Sequence, residues 1–359
     1  MVSGSMVTFF VTVSHDTPVP FQEMTSSDTP SSVNSGVQDD VMPQGRVMRL
    51  DRGWSTVLLT SGSSVRVRNI GVEVAVGDEV NISSDMERVQ SVNARRSALV
   101  RRASFEGARA QRQIVASNID TVFLVHSLTS PPNERRLERE LVLAFDSGAN
   151  PVIVLTKIDC VESDAAMNVH DVLSKVAMGV PIHMLSGVTR EGMEQLSGYI
   201  SDGATIAVLG ASGVGKSTLV NALVGHDAQE VGDVRESDQR GRHTTVAAQL
   251  VQLPSGGWLL DTPGLRAVNL WTSGHGIERA FKDVFDLSDT CKFRDCKHSD
   301  EPGCAVQAAI ADGSLPPIRL ESMRRLVAEE AAIEEEQRDR EKSFDRRGAR
   351  RPAENRRRP

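Results

Sequence analysis

Three groups of residues in this sequence have the types and spacing to do chemistry. The first is Gly210-Ala211-Ser212-Gly213-Val214-Gly215-Lys216-Ser217-Thr218. It fits the pattern G-x-x-x-x-G-K-[ST] in the context that pattern requires, with the apolar run Thr205 to Leu209 before it and the helix-like run Lys216 to Val224 after it. Glycines let successive backbone N–H groups turn inward onto a phosphate, and a helix N-terminus adds partial positive charge. Lys216 would meet the β- and γ-phosphates, and the Ser217 hydroxyl would sit on the Mg²⁺ that bridges them. A glycine-rich turn that binds nothing is the bland alternative, and strand, loop, Lys-Ser pair and helix in succession weigh against it.

The second group selects a base and handles the terminal phosphate. Thr156-Lys157-Ile158-Asp159 ends the apolar run Pro151 to Leu155 and matches [NT]-K-x-D, with Thr in place of the commoner Asn. The two acceptor oxygens of Asp159 suit the ring N1–H and exocyclic amine of guanine, whereas adenine offers an acceptor there and is repelled. Lys157 would lie along the base. Ser186-Gly187, after the run Pro181 to Leu185, is a fainter candidate for the base-side loop. Asp261-Thr262-Pro263-Gly264 stands where an acid holds Mg²⁺ and a glycine N–H meets the γ-phosphate. Between them, Gly241-Arg242-His243-Thr244-Thr245 takes the place of a first switch, with Thr245 or its neighbour Thr244 completing the Mg²⁺ shell. Leu265 follows Gly264 where related enzymes carry a water-orienting Gln, so His243 is the candidate to position the nucleophilic water; a surface histidine in a loop is the plain alternative. Cys160, next to Asp159, reads as a packing residue.

The order is unusual: the base motif comes first and the phosphate loop follows it, the reverse of the ordinary arrangement. A circular permutation accounts for this, because the ends of a compact domain lie at the surface and can be rejoined without disturbing the sheet. The third group is Cys291-x4-Cys296-x-His298-x5-Cys304. Three thiolates and an imidazole so close together suit one closed, structural Zn²⁺ site. Unlinked thiols beside a surface histidine are the alternative, in a segment too polar and short to bury them.

The elements that must position these groups follow from periodicity. The chain has 359 residues, 39% of them hydrophobic, and a formal net charge of −7, which allows two or three domains with real cores and argues against a uniformly basic coat. Residues 1–43, rich in Ser, Thr, Asp and Pro, read as a disordered arm. Short β-like runs over 44–93, punctuated by turns such as Asp51-Arg52-Gly53, suit an OB-like barrel; Arg66 and Arg68 alternate with Val65 and Val67 and give it one cationic face. An Arg-dense connector spans 94–117. Alternating strands and helices over 118–272 give an α/β domain with a largely parallel sheet, strands being expected near 120–126, 151–155, 181–185, 205–209, 247–253 and 258–260 and helices near 133–146, 164–178, 190–200 and 216–224. Residues 273–338 read as a helical, zinc-binding domain, with helices at 275–287, 305–311 and 319–338. Residues 339–359 read as a disordered basic tail. No apolar run is long enough to span a bilayer and no signal peptide is recognised, so the expected location is the cytoplasm.

From about residue 45 to 330 the chain resembles the RsgA (YjeQ) family of circularly permuted GTPases. The likeness is carried by Arg96-Ser97-Ala98-Leu99-Val100-Arg101, Thr156 to Asp159, Gly210 to Thr218, Gly241 to Thr245, Asp261 to Gly264, and the Cys/His set. It implies an OB domain, a permuted GTPase domain and a zinc domain. It also implies GTP hydrolysis to GDP stimulated by the small ribosomal subunit during late maturation, with rRNA as the contacted polymer and the protein a monomer. Two competing functions are a GTP-gated RNA-binding module whose own turnover is incidental, and an ATP-dependent enzyme, which Asp159 disfavours.

Overall fold

A computed structural model describes residues 42–103, 111–177, 179–201, 203–225, 248–261 and 275–349. Residues 1–41 of the arm, the first-switch candidates His243 and Thr245, the stretch after Asp261 that includes Leu265, and the last residues of the tail lie outside them.

At the centre is a sheet built from apolar runs that are buried on both faces. Strands β8 (Thr121–Ser127), β9 (Asn150–Thr156), β10 (Ile182–Leu185), β11 (Thr205–Gly210) and β13 (Trp258–Asp261) pair in the order β10-β9-β8-β11-β13, all parallel, and β12 (Gln249–Gln252) joins β13 antiparallel. Successive side chains point to opposite faces of a strand, so β8 splits its residues between two cores. Val122 and Leu124 pack with Leu137 and Leu141 of α1 (Glu134–Ser147) and Leu173 of α2 (Ser163–Ala177), while Phe123 and Val125 pack with Leu219 and Leu223 of α3 (Lys216–Val224). Helices on both faces are the reason every residue of β8 is buried. The stretch expected as a helix at 190–200 is a 3-10 segment, Met193–Tyr199. It starts after Gly192 at φ 73°, where a Cβ would stand 2.4 Å from the Met184 carbonyl oxygen.

Beyond β12 the sheet continues, through one antiparallel pair from Arg49 to Gln249, into β1 (Gln44–Asp51), β2 (Trp54–Leu59), β3 (Ser64–Arg68), β4 (Glu79–Ile82) and β5 (Val89–Val92), which form antiparallel pairs in the order β3-β2-β1-β4-β5. An isolated bridge from Arg68 to Arg88 brings the end of β3 beside β5, and Val47, Val57, Val67, Val80, Ile82 and Val89 fill the interior. Within the Arg-dense stretch that follows, β6 (Ala98–Ala103) and β7 (Gln111–Ser117) make a hairpin that the strand reading of the sequence does not include. Arg46 of β1 reaches β11, donating to the Thr205 hydroxyl at 2.5 Å, and is half-buried there.

After the sheet, the helix expected at 275–287 is two, α4 (His275–Ala280) and α5 (Lys282–Ser288). They break at Phe281, which leaves helical geometry at φ −119° with its ring buried under the Arg319 guanidinium at 4.4 Å. Next come α6 (Ala305–Ala311) and α7 (Pro317–Ala349). Helix α7 runs past 338, so residues 339–349 are helical and not part of a disordered tail. Its first half is tied to α1 by Arg325 with Glu138 at 2.6 Å and by Arg139 with both carboxylate oxygens of Glu329. Helix α4 lies so close to α1 that a Cβ on Gly276 would stand 2.3 Å from the Val142 carbonyl oxygen, and the Gly276 N–H donates to Asp146 at 3.0 Å. Gly276→Ala must push the helices apart. We expect a loss of about 1–3 kcal/mol, read as a lowered denaturation midpoint at unchanged m-value.

Candidate functional site

Because the five parallel strands run the same way, their C-terminal ends share one edge of the sheet. Ser127 pairs with Thr156, Thr156 with Leu185, and Val125 with Gly210, so the residues that leave these ends are neighbours although they are far apart in the chain. On this edge stand Thr156 to Asp159, Ser186, Gly210 to Thr218, and Asp261.

The segment after β11 turns through Gly210, Gly213 at φ 76° and Gly215 at φ 98°, and Gly215 caps the start of α3. A side chain at Gly215 would be strained: its conformation is left-handed, and a Cβ would lie 3.1 Å from the Thr156 hydroxyl. Lys216 begins α3 and its ammonium reaches the carbonyl of Ala211 at the start of the loop. Ser217 and Thr218 follow in the first turn, both half-buried.

Two side chains of the Thr156 to Asp159 tetrapeptide hold this loop. The Thr156 hydroxyl contacts the carbonyl of Val214 and, at 3.2 Å, that of His126. Lys157, itself left-handed at φ 66°, donates from Nζ to the Gly213 carbonyl at 2.8 Å. Thr in place of Asn therefore still bridges to the loop. Ile158 turns inward against the core and Asp159 outward into solvent. Ser186, fully buried, and Cys160 hydrogen-bond the Asp159 carboxylate and hold it below the ordinary carboxylate range, so it is ionised and acceptor-only at neutral pH. The Ser186 hydroxyl also accepts from the N–H groups of Val188 and Thr189 at 3.1 and 3.0 Å, which shapes the loop facing Asp159. Thr156→Val keeps the shape but leaves the Val214 carbonyl without this donor. We expect about a tenfold loss of nucleotide affinity, measured by fluorescent-nucleotide titration, since a lost buried hydrogen bond costs about 1–3 kcal/mol.

Two residues here fall outside the sequence reading. Cys160 is exposed rather than packed, because the 3-10 turn Ile158–Cys160 spends its one inward position on Ile158; its Sγ lies 3.3 Å from Asp159 Oδ2. His126, beside Thr156 at the end of β8, is buried with Nε2 at 2.9 Å from Glu140, which also accepts from Arg136 at 2.8 Å. A Glu on the core-facing side of α1, in step with Leu137 and Leu141, is the signal that betrays such a pair.

At the other end of the chain, Cys291, Cys296, His298 and Cys304 bring one ligand atom each to within 4.8 Å of one another. Sγ of Cys291 and Cys304 are 3.9 Å apart, and His298 Nδ1 is 3.6 and 3.4 Å from them. Tetrahedral bonds of about 2.3 Å to sulfur and 2.0–2.1 Å to nitrogen give edges of about 3.8 and 3.5 Å, so the set is consistent with zinc. His298 takes a left-handed φ of 55° to reach the group. Burial, aided by nearby Arg324, lowers its pKa, which favours the neutral ring a metal needs.

The sequence profile of the RsgA GTPase family matches residues 92–271. The chain belongs to the RsgA GTPase family. Among its relatives, the small ribosomal subunit biogenesis GTPase RsgA of Streptomyces coelicolor is 42% identical over 299 residues, 80% of this chain and 81% of that one. The protein of the same name from Methanosarcina acetivorans is 41% identical over 276 residues, 76% and 74% of the two chains. Of solved structures, the crystal structure of YjeQ from Thermotoga maritima aligns with a TM-score of 0.62 and 26% identity over 80% of this chain and 98% of that one. YloQ, a circularly permuted GTPase, aligns with a TM-score of 0.60 at 22% identity and shares the fold. Membership in the family makes the permuted order of the motifs its ordinary arrangement.

Proposed function

We propose that this chain hydrolyses GTP to GDP and phosphate as a late maturation factor of the small ribosomal subunit, acting in the cytoplasm as a monomer. The observation that carries the reading is the pair of contacts from Thr156 and Lys157 to the carbonyls of Val214 and Gly213, which join a guanine-type acceptor, Asp159, to a phosphate loop. Asp159 would take the N1–H and amine of guanine, and the N–H groups of Gly213 to Thr218 with Lys216 would take the phosphates. Ser217, Asp261 and either Thr245 or Thr244 would be the oxygen donors for Mg²⁺, a set that suits a hard cation. Bound there, Mg²⁺ would neutralise charge on the β- and γ-phosphate oxygens. The Cys/His set would hold one structural Zn²⁺. We read β1 to β5 as an OB-like barrel, which the strand order and the Arg68–Arg88 bridge support, and assign rRNA contact to it and to the zinc segment. Among the described residues no helix is long and apolar enough to cross a membrane. Turnover measured with and without small subunits, and competition by ATP, tests the reading; an absence of stimulation or equal competition by ATP counts against it.

His243 is proposed to position the water when the subunit orders the first switch. His243→Ala is expected to keep GTP and subunit binding while losing most of the stimulated rate, as read by single-turnover assays. Stimulation equal to the parent's moves that role to another residue.

A further inference from the structure

Strand β2 alternates cleanly. Ser55 and Val57 point inward and are buried, while Trp54 and Thr56 point to the other side. Trp54 is not among the residues that form the barrel core. A half-buried indole on the outer, polar face of a small sheet is unusual enough to need a reason. Its register neighbours are Arg68 directly across on β3 and Asp51 on β1, with Arg66 on the diagonal opposite Thr56. Both guanidinium carbons lie over the indole, Arg66 at 5.1 Å and Arg68 at 5.0 Å, and both arginines are exposed. Arg88 stands beside Arg68 at the bridge to β5. Asp51 is the acid in register with Trp54, and it is spent on Arg66 at 3.3 Å with both side chains more than half exposed.

The indole thus lies under two exposed guanidinium groups on a solvent-facing sheet, and a stacking base would take their place over the ring as they turn to flanking phosphates. Duplex RNA hides the faces of its bases, whereas a single strand offers a base to stack and phosphates on either side for guanidinium groups. We propose that the outer face of β2 and β3 binds single-stranded RNA, with an unpaired base stacked on Trp54 and the flanking phosphates held by Arg66, Arg68 and Arg88. The proposal rests on the reading that this protein acts on rRNA, and names the kind of RNA and the residues that take it. An acidic protein would use the arginines but not the indole, so the indole decides between them.

The test uses the full chain, a labelled oligoadenylate of about twelve nucleotides and an RNA duplex of similar length, titrated over a range of KCl concentrations. Trp54→Ala is expected to weaken oligoadenylate binding about tenfold or more with little change for the duplex, and Trp54→Phe to recover most of it. The double variant Arg66→Gln/Arg68→Gln, which leaves the indole intact, is expected to lower the steepness of log K against log salt by about 1.4, since each single-strand phosphate contact contributes about 0.7. Thermal melting of each variant separates sheet stability from binding. Trp54→Ala that melts lower yet binds oligoadenylate as tightly as the parent overturns the proposal, as does an equal loss for duplex and single strand. Pelleting of the parent with small subunits in a non-hydrolysable GTP analogue is run alongside. Failure of that arm removes the ribosomal reading itself, whereas intact pelleting with no effect of Trp54→Ala removes only the stacking site.

Discussion

Asp159→Asn is expected to weaken GTP binding about a hundredfold and to invert the preference between GTP and xanthosine triphosphate. Both acceptor oxygens of Asp159 would face donors on guanine; the neutral amide puts a donor against one of them and leaves one uncharged hydrogen bond at most. Charge-assisted bonds contribute about 1.5–3 kcal/mol, hence the size of the loss. Xanthine carries a carbonyl where guanine has its amine and accepts from the new N–H. The loop itself should survive, because Ser186 and Cys160, which hydrogen-bond the carboxylate, can still find the amide oxygen. Since these bonds lower the pKa of Asp159 from 3.8, the carboxylate contribution is complete at neutral pH and is lost only as pH falls through a still lower value. GTP affinity should therefore be flat in this respect from pH 8 to about pH 5. Displacement titrations with both nucleotides check the switch; unchanged GTP affinity removes Asp159 from the base site.

Removal of the metal from the Cys/His set is expected to unfold the C-terminal segment while GTP binding persists. Cys304 belongs to the same buried cluster as Phe281, Val284, Val306, Leu315 and Leu320, and it caps α6 by accepting from the Gln307 N–H at 3.4 Å. Ligands and core are thus one unit, and a structural zinc contributes on the order of 10 kcal/mol to the folding of a small domain. Cys296→Ser should lower the metal content from about one Zn²⁺ per chain and make the region from 282 to 315 sensitive to protease. Protein purified without chelator that carries no zinc, or a Cys296→Ser variant as protease-resistant as the parent, would overturn the assignment.

The strand ends that gather the proposed nucleotide motifs were legible in the sequence because those motifs close apolar runs that are buried on both faces, so runs such as Pro151 to Leu155 and Thr205 to Leu209 announce both the strand and the place where it ends. The Cys/His set was legible for a different reason: its ligands are local in sequence. Long-range pairs left weaker marks. His126 and Glu140 look like an ordinary strand residue and an ordinary helix charge until the two elements pack, and Gly276 looks like a poor helix residue until α1 lies against it. The hairpin β6 and β7 was hidden because its arginines swamp the alternation of Leu99 with its neighbours. Helix α7 exceeded its expected end because a charged stretch can be a solvated helix as readily as a loose tail.

Permutation also orders the steps by which the chain can fold during synthesis. Strand β11 lies between β8 and β13, and its start at Thr205 bonds to Asp120, 85 positions before it, and pairs with Trp258, 53 positions after it. Strands β8, β9 and β10 can assemble as soon as they emerge, so the Thr156 to Asp159 turn is made early. The loop proposed to bind the phosphates follows a strand whose second partner is not yet translated. Non-local pairing of this kind is slow. A chain halted before Trp258 would present β11 as an open edge, a template for misassembly rather than a nucleotide site.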